Sequence, residues 1–274
     1  MGSKKKLITA PNIRSLIIDL TPPVLLRLAQ RLRRRARGIG LHSFVPGRYP
    51  SVADVGDGYD DGKYAGLIVT NQLRARKSES NDERSWYLIL PLVVSQFPDK
   101  PLTILDFGGG AATGLFSILD QVTGLDLAKL SYVLVETPAM CRAVRDRIVP
   151  VLPPLSVKIV EEIPTSLAAP LIVNVGSAIQ YISAYRETLA RLAGLSPQFI
   201  IISQTPMTDG PTSTWQQLHP YKKIVARIFN RSEFIAEMRP LGYACIFMTT
   251  HKSPVTDENG PAFRTHMIFR LSSN

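Results

Sequence analysis

Apolar and polar positions follow two different rhythms along this chain. From residue 101 onward, short β-type runs alternate with stretches of helical periodicity. The predicted strands are Leu102–Phe107, Tyr132–Glu136, Ser156–Val160, Leu171–Val175, Phe199–Ser203, Ala244–Thr249 and Met267–Leu271. The predicted helices are Gly114–Gln121, Ala139–Val149, Ala184–Leu192 and Ser232–Arg239. Near-continuous apolar strands separated by helices predict an α/β fold with a parallel sheet covered on both faces. The last two strands lack an intervening helix and are joined by a loop, His251–Arg264, so they are expected as an antiparallel pair at the sheet edge. Residues Gln204–Arg231 exceed a simple strand-to-helix link and read as a lid over a substrate.

Before residue 101 the rhythm is helical. Leu25, Leu28, Ala29, Leu32 and Ala36 form one stripe at about 100° per residue, between Pro22-Pro23 and Gly38. Arginines cover the remaining arc, with Leu26 the one large apolar exception. Residues 39–98 mix glycine-punctuated loop with helix, and Trp86–Phe97 is apolar but interrupted by Pro91. The resulting division is a basic amphipathic arm (1–48), a helical cap (49–98) and the α/β domain (99–274).

Charge sharpens that division. The 274 residues carry a formal charge of +10, with 45% apolar and 20% charged residues. Residues 1–48 hold eleven Lys/Arg and one acid, Asp19, which leaves 21 basic and 21 acidic residues for the rest. The body is neutral and the whole excess sits in the arm. Such a helix either lies on an anionic membrane surface or docks its leucines on the body with its arginines solvated. A neutral body gives no sign of a groove that tracks nucleic acid. Two distant cysteines and four histidines show no metal-binding spacing, so no metal site is expected and a reduced cytoplasmic setting is. The apolar share excludes general disorder, and no secretory signal or run long enough to span a bilayer is recognisable.

The chemistry concentrates at strand ends. Ile104-Leu105-Asp106-Phe107 runs into Gly108-Gly109-Gly110-Ala111-Ala112-Thr113-Gly114, a strand-to-helix turn in which glycines let a ligand approach the backbone. Thr113 stands where a dinucleotide fingerprint wants its third glycine, and Asp106 would repel a pyrophosphate but attract a cation. Glu136, at the end of the second strand, is placed to accept the hydroxyls of a ribose. Glu161 and Glu162 end the third strand, where an acid would meet an adenine amino group or simply face solvent. After the fourth strand, Gly176, Ser177, Gln180 and Tyr181 reach the crevice mouth. Tyr181 either stacks or donates there, or is a half-buried helix residue.

These pieces together resemble class I S-adenosylmethionine-dependent methyltransferases. More narrowly, Leu105-Asp106-Phe107-Gly108-Gly109, Val135-Glu136, Gly176–Tyr181, Thr205-Pro206, Phe234 through Gly242-Tyr243, Gly47–Ser51 and Gly58-Tyr59 resemble an uncharacterised bacterial family linked to surface-polysaccharide genes. The resemblance spans nearly all of the chain after the arm. It departs at Gln204, where that family commonly has Arg before Thr-Pro, and at Val52, where an aromatic is common. It implies a seven-stranded Rossmann-like methyltransferase sheet with S-adenosylmethionine as cofactor. Asp106, Gly108, Gly109 and Gly110 would then hold the amino-acid end, Glu136 the ribose, and Gly176 with Ser177 the crevice.

The acceptor is expected to be a small molecule or glycan rather than nucleic acid. His219 is the leading candidate general base because its unperturbed pKa lies near neutrality, with Tyr181 and His266 as alternatives. The rival is a non-catalytic scaffold or regulatory subunit of the same fold. In either version the expected location is cytoplasmic, with the arm as a peripheral contact to the inner membrane face.

Overall fold

The computed structural model describes residues 44–46, 59–77, 88–218, 223–257 and 260–272. The arm helix proposed over 21–38, the motif Gly47–Ser51 and the candidate base His219 therefore lie outside the described residues. The elements are β1 (Phe44–Pro46), α1 (Gly62–Lys77), α2 (Ile89–Val94), β2 (Leu102–Phe107), α3 (Thr113–Gln121), β3 (Leu130–Val135), α4 (Pro138–Arg147) and β4 (Ser156–Val160). They continue as β5 (Leu171–Gly176), α5 (Tyr185–Gly194), β6 (Phe199–Thr208), β7 (Ser213–Leu218), β8 (Lys223–Asn230), α6 (Arg231–Met238), β9 (Tyr243–Asp257) and β10 (Gly260–Leu271).

The main sheet has the spatial order β4-β3-β2-β5-β6-β10-β9. Neighbours pair in parallel from β4 to β6, and β10 runs antiparallel to both β6 and β9. The fold is a Rossmann-like α/β sheet, as the strand pattern predicts. Alternate residues of each strand feed opposite layers. Ile104, Tyr132, Ile172 and Ile201 pack with Val69, Leu90, Leu115 and Met140 on one face. Leu105, Val173, Ile200 and Ile202 pack with Leu189, Leu192, Phe234 and Met238 on the other. Burying each such side chain stabilises the fold by roughly 1.5–3 kcal/mol. Helices α1 and α2 belong to the first layer, so the described cap residues share the core of the sheet. Pro91 sits in the first turn of α2, where its missing N–H costs no helical bond.

Two expectations are corrected. The segment Gln204–Arg231 is not a free lid: β6 continues to Thr208, and β7 and β8 form an antiparallel hairpin. That hairpin joins β6 through Met207↔Phe229 and Thr208↔Asn230, and β1 adds to its far side through Val45↔Gln216. The predicted loop His251–Arg264 is mostly strand, because β9 and β10 pair along their length as far as Asp257↔Gly260. The register skips between Thr265 and Met267 opposite β6. Among the described residues, no helix is long and apolar enough to cross a membrane.

The chain order runs outward from β2 to β3 and β4, then crosses back to β5 on the other side. The carboxyl ends of β2 and β5 therefore diverge, and a ligand crevice is expected where connections leave in opposite directions. The glycine turn lies at that point.

Candidate functional site

Between β2 and α3 the chain makes three left-handed steps, at Gly108 (φ 66°), Gly110 (φ 58°) and Ala112 (φ 56°). The tightness is steric as well as conformational. A Cβ on Gly108 would lie 2.2 Å from the Cβ of Ala178, and one on Gly109 would lie 2.2 Å from Asp106 Oδ2 and 2.8 Å from Leu134 Cδ1. The turn is thus folded directly over the Asp106 carboxylate.

Asp106 is fully buried. The hydroxyl of Tyr132 donates to its Oδ2, and Asn174 Nδ2 donates to Oδ1 at 2.7 Å. Both donors follow from sheet register: Asp106 pairs with Asn174 on β5 and with Leu134 on β3, two residues along from Tyr132. Burial pushes the Asp106 carboxyl above its ordinary value of 3.8, against the pull of those two hydrogen bonds. The Tyr132 hydroxyl is pushed well up by burial and by the charge of Asp106.

Glu136 follows β3 and is half-buried. Its Oε1 accepts the Gly110 N–H and its Oε2 the Thr137 N–H, each at 2.8 Å. Burial raises its carboxyl above the ordinary 4.5, while the two backbone bonds pull it down. Ser177 is left-handed (φ 54°), donates its N–H to Ser203 O at 2.8 Å, and accepts Gln180 Nε2 on its hydroxyl at 2.9 Å. A Cβ on Gly176 would come no nearer than 3.5 Å to Asn174 Nδ2. The fold itself therefore does not require glycine there, and the open space serves the crevice.

These groups line one cavity of about 600 Å³. Asp106, Gly108, Gly109, Gly110, Glu136, Gly176, Ser177 and Tyr181 all face it, and Glu161 joins them from the end of β4. The Tyr181 ring lies 4.7 Å from the ring of Tyr59, centroid to centroid, and both line the cavity. Tyr59, Tyr64 and Ile68 close it from the N-terminal side. Asp60 fixes that closure by accepting the Ala139 N–H at 2.8 Å, at the start of α4. His266 is only 2% exposed and is not among the described residues that line the cavity.

Sequence reasoning passed over Tyr132, Asn174 and Arg264. The first two carried a usable signal: Asn174 is the one polar side chain of β5, and Tyr132 puts a hydroxyl into the apolar run of β3, both strands adjacent to the one bearing Asp106. Arg264 carried none, because it reaches the cavity from the far end of the chain.

No family model matches the chain, and no curated protein sequence does. Among solved structures it is similar to a chain of the complex formed by the Haloferax volcanii methyltransferase activator Trm112, at 12% identity and TM-score 0.50, covering 77% of this chain and 98% of that one. It is also similar to the Burkholderia thailandensis 1,6-didemethyltoxoflavin-N1-methyltransferase with bound S-adenosylhomocysteine, at 15% identity and TM-score 0.47, covering 84% and 95%. A third is the glycopeptide N-methyltransferase MtfA complexed with sinefungin, at 12% identity and TM-score 0.46, covering 68% and 87%. At these identities the likeness concerns the fold.

Proposed function

We propose that this protein is an S-adenosylmethionine-dependent methyltransferase acting on a small-molecule or glycan acceptor. One observation carries the reading. A glycine turn folded over a buried carboxylate, and a second carboxylate one strand away, line the same cavity at the point where the strand order reverses.

The residues present fit that cofactor. Each Glu136 oxygen accepts one backbone N–H and has a second lone-pair direction, as two ribose hydroxyls require. No atom beyond its chain neighbours lies within 4 Å of a Cβ on Gly110, and one on Gly176 would make only ordinary contacts at 3.5 and 3.7 Å, so backbone and ligand would meet closely. Asp106 has each oxygen engaged by a neighbour, so it acts by its charge and by holding the turn in shape. The cofactor supplies an activated methyl, which passes to a nucleophilic oxygen or nitrogen while sulfur keeps the bonding electron pair. The chain's own contribution is alignment and exclusion of water: Tyr59, Tyr64 and Ile68 cover the cavity, and Ser177 and Tyr181 stand beside its β5 end. Tyr181 and His219 are the candidates to take the acceptor's proton.

Calorimetric titration with S-adenosylmethionine and S-adenosylhomocysteine tests the first half. Both should bind, and Glu136→Ala should weaken them at least tenfold. No binding by the folded protein, or unchanged binding in Glu136→Ala, would sink the assignment. Labelled S-adenosylmethionine incubated with fractionated lysate then reads out the acceptor by mass spectrometry. Cofactor binding without transfer to any fraction would make the chain a non-catalytic scaffold.

A further inference from the structure

The described residues lining the cavity include three carboxylates, Asp106, Glu136 and Glu161, and a single cation, Arg264. They are segregated. The carboxylates belong to β2 and to the ends of β3 and β4, whereas Arg264 is on β10. From β3 to β10 the sheet order counts four strand steps, roughly 19 Å at the usual spacing. The cavity is therefore negative at its β3–β4 end and positive at its β10 end.

The positive end is a constructed feature of the sheet. Between the pairs Ile202↔Met267 and Thr205↔Thr265, two residues of β6, Ser203 and Gln204, face the single residue His266. This is a β-bulge, and its second residue, Gln204, holds a left-handed conformation (φ 56°) that such side chains rarely adopt. Bulges re-aim side chains, and here the Gln204 amide meets two partners. Arg264 Nη1 donates to its Oε1 at 3.3 Å, and its Nε2 lies 3.3 Å from His266 Nε2. A guanidinium can only donate, so the amide oxygen must face it and the amide nitrogen must donate to His266. The ring accepts on Nε2 and carries its proton on Nδ1. Gln204 and His266 are each 2% exposed; Gln204 and Arg264 both line the cavity, and His266 is not among the described lining residues.

We propose that Arg264 is the acceptor-recognition residue and that the acceptor carries an anionic oxygen group, a carboxylate or a phosphate. The proposal rests on the methyltransferase reading and names the substrate class of that same site. A carboxylate or phosphate takes two N–H groups of a planar guanidinium at once, which fixes orientation as well as charge. Gln204 and His266 are positioning residues that hold the fork in place. The tyrosine pair Tyr59 and Tyr181 lines the cavity too and offers ring faces to the body of such an acceptor.

The test uses the full chain loaded with S-adenosylhomocysteine and titrated calorimetrically with benzoate and, separately, with phenyl phosphate. At least one should bind, and the tighter of the two identifies the anionic group. Arg264→Gln should weaken that binding tenfold or more, with S-adenosylhomocysteine affinity within twofold of the wild type. Gln204→Leu should alter the ratio of benzoate to phenyl phosphate affinity, which a merely structural role would not move. If Arg264→Gln does not fold, Arg264→Lys carries the test: it keeps the charge without the fork and should bind the anion at least threefold more weakly. Failure of the wild type to bind either anion, or wild-type anion affinity in whichever Arg264 variant folds, overturns the proposal. So does a variant that loses S-adenosylhomocysteine yet keeps 5′-methylthioadenosine, because Arg264 would then hold the cofactor's own carboxylate. If the wild type binds neither nucleoside, the methyltransferase reading fails separately. Anion binding by the unloaded protein, lost in Arg264→Gln, would still support the site.

Discussion

A methyl group on Gly109 has nowhere to go, because the nearest atoms are a buried carboxylate oxygen at 2.2 Å and a leucine methyl at 2.8 Å. Gly109→Ala must displace Asp106 from its two donors, so a loss of about 3 kcal/mol is expected in urea unfolding, together with loss of cofactor binding. Gly110→Ala is the control: it meets no atom, and its cost is that of a left-handed alanine, about 1–2 kcal/mol. The two raised carboxyls make opposite contributions to stability and to binding. In the pH range from their ordinary values of 3.8 and 4.5 up to their folded values, Asp106 and Glu136 hold more protons folded than unfolded. Their contribution to stability is therefore complete below that range and is lost as pH rises through it. A cationic ligand prefers the ionised carboxylates, so its affinity should rise over the same range. Titrations at several pH values should show a steeper acid loss for S-adenosylmethionine than for uncharged 5′-methylthioadenosine. An equal slope would remove Asp106 from the cationic end.

Among the elements, α4 shows how far a local structure depends on distant sequence. Its N-cap residue Thr137 makes no side-chain capping bond. The N–H of Ala139 is accepted instead by Asp60, 79 residues earlier. Asp60→Ala should lower stability by about 1 kcal/mol in chemical denaturation, the usual worth of a capping carboxylate. It should also weaken S-adenosylhomocysteine, since Tyr59 beside it lines the cavity. No spacing rule reveals such a cap. The main strands themselves were legible because the apolar runs of β2, β3, β5 and β6 are buried on both faces. The hairpin β7–β8 was not, because Gln204 and Pro206 interrupt the apolar run of β6 and read as its end. Polar Gln204 is the second residue of the bulge, and Pro206 is tolerated within a strand whose ten residues are all buried. The same logic separates the site residues. Asp106, Glu136 and the glycines sit at strand ends where sequence position implies location, whereas Arg264 reaches the site only through the pairing of β10 with β6.

For the whole molecule, the charge excess lies in residues 1–48 over a neutral remainder, so the proposed membrane contact of the arm and ligand binding by the cavity can be tested separately. Removing residues 1–38 should abolish co-sedimentation with anionic vesicles while leaving S-adenosylhomocysteine affinity within twofold. Vesicle binding that persists unchanged would rule the arm out as an anchor. The described body has its own hierarchy, visible in β6. That strand bonds to β5 on one side and to β10 on the other. Backbone protons held in such a ladder, at Ile200–Ile202, should be among the slowest in the chain to exchange with deuterated solvent. Gln204 lies one residue past the last β5 pair, Gly176↔Ser203, and inside the bulge, so its own amide should exchange sooner than those of Ile200–Ile202. The hold on Arg264 therefore sits where a regular ladder gives way to an irregular step.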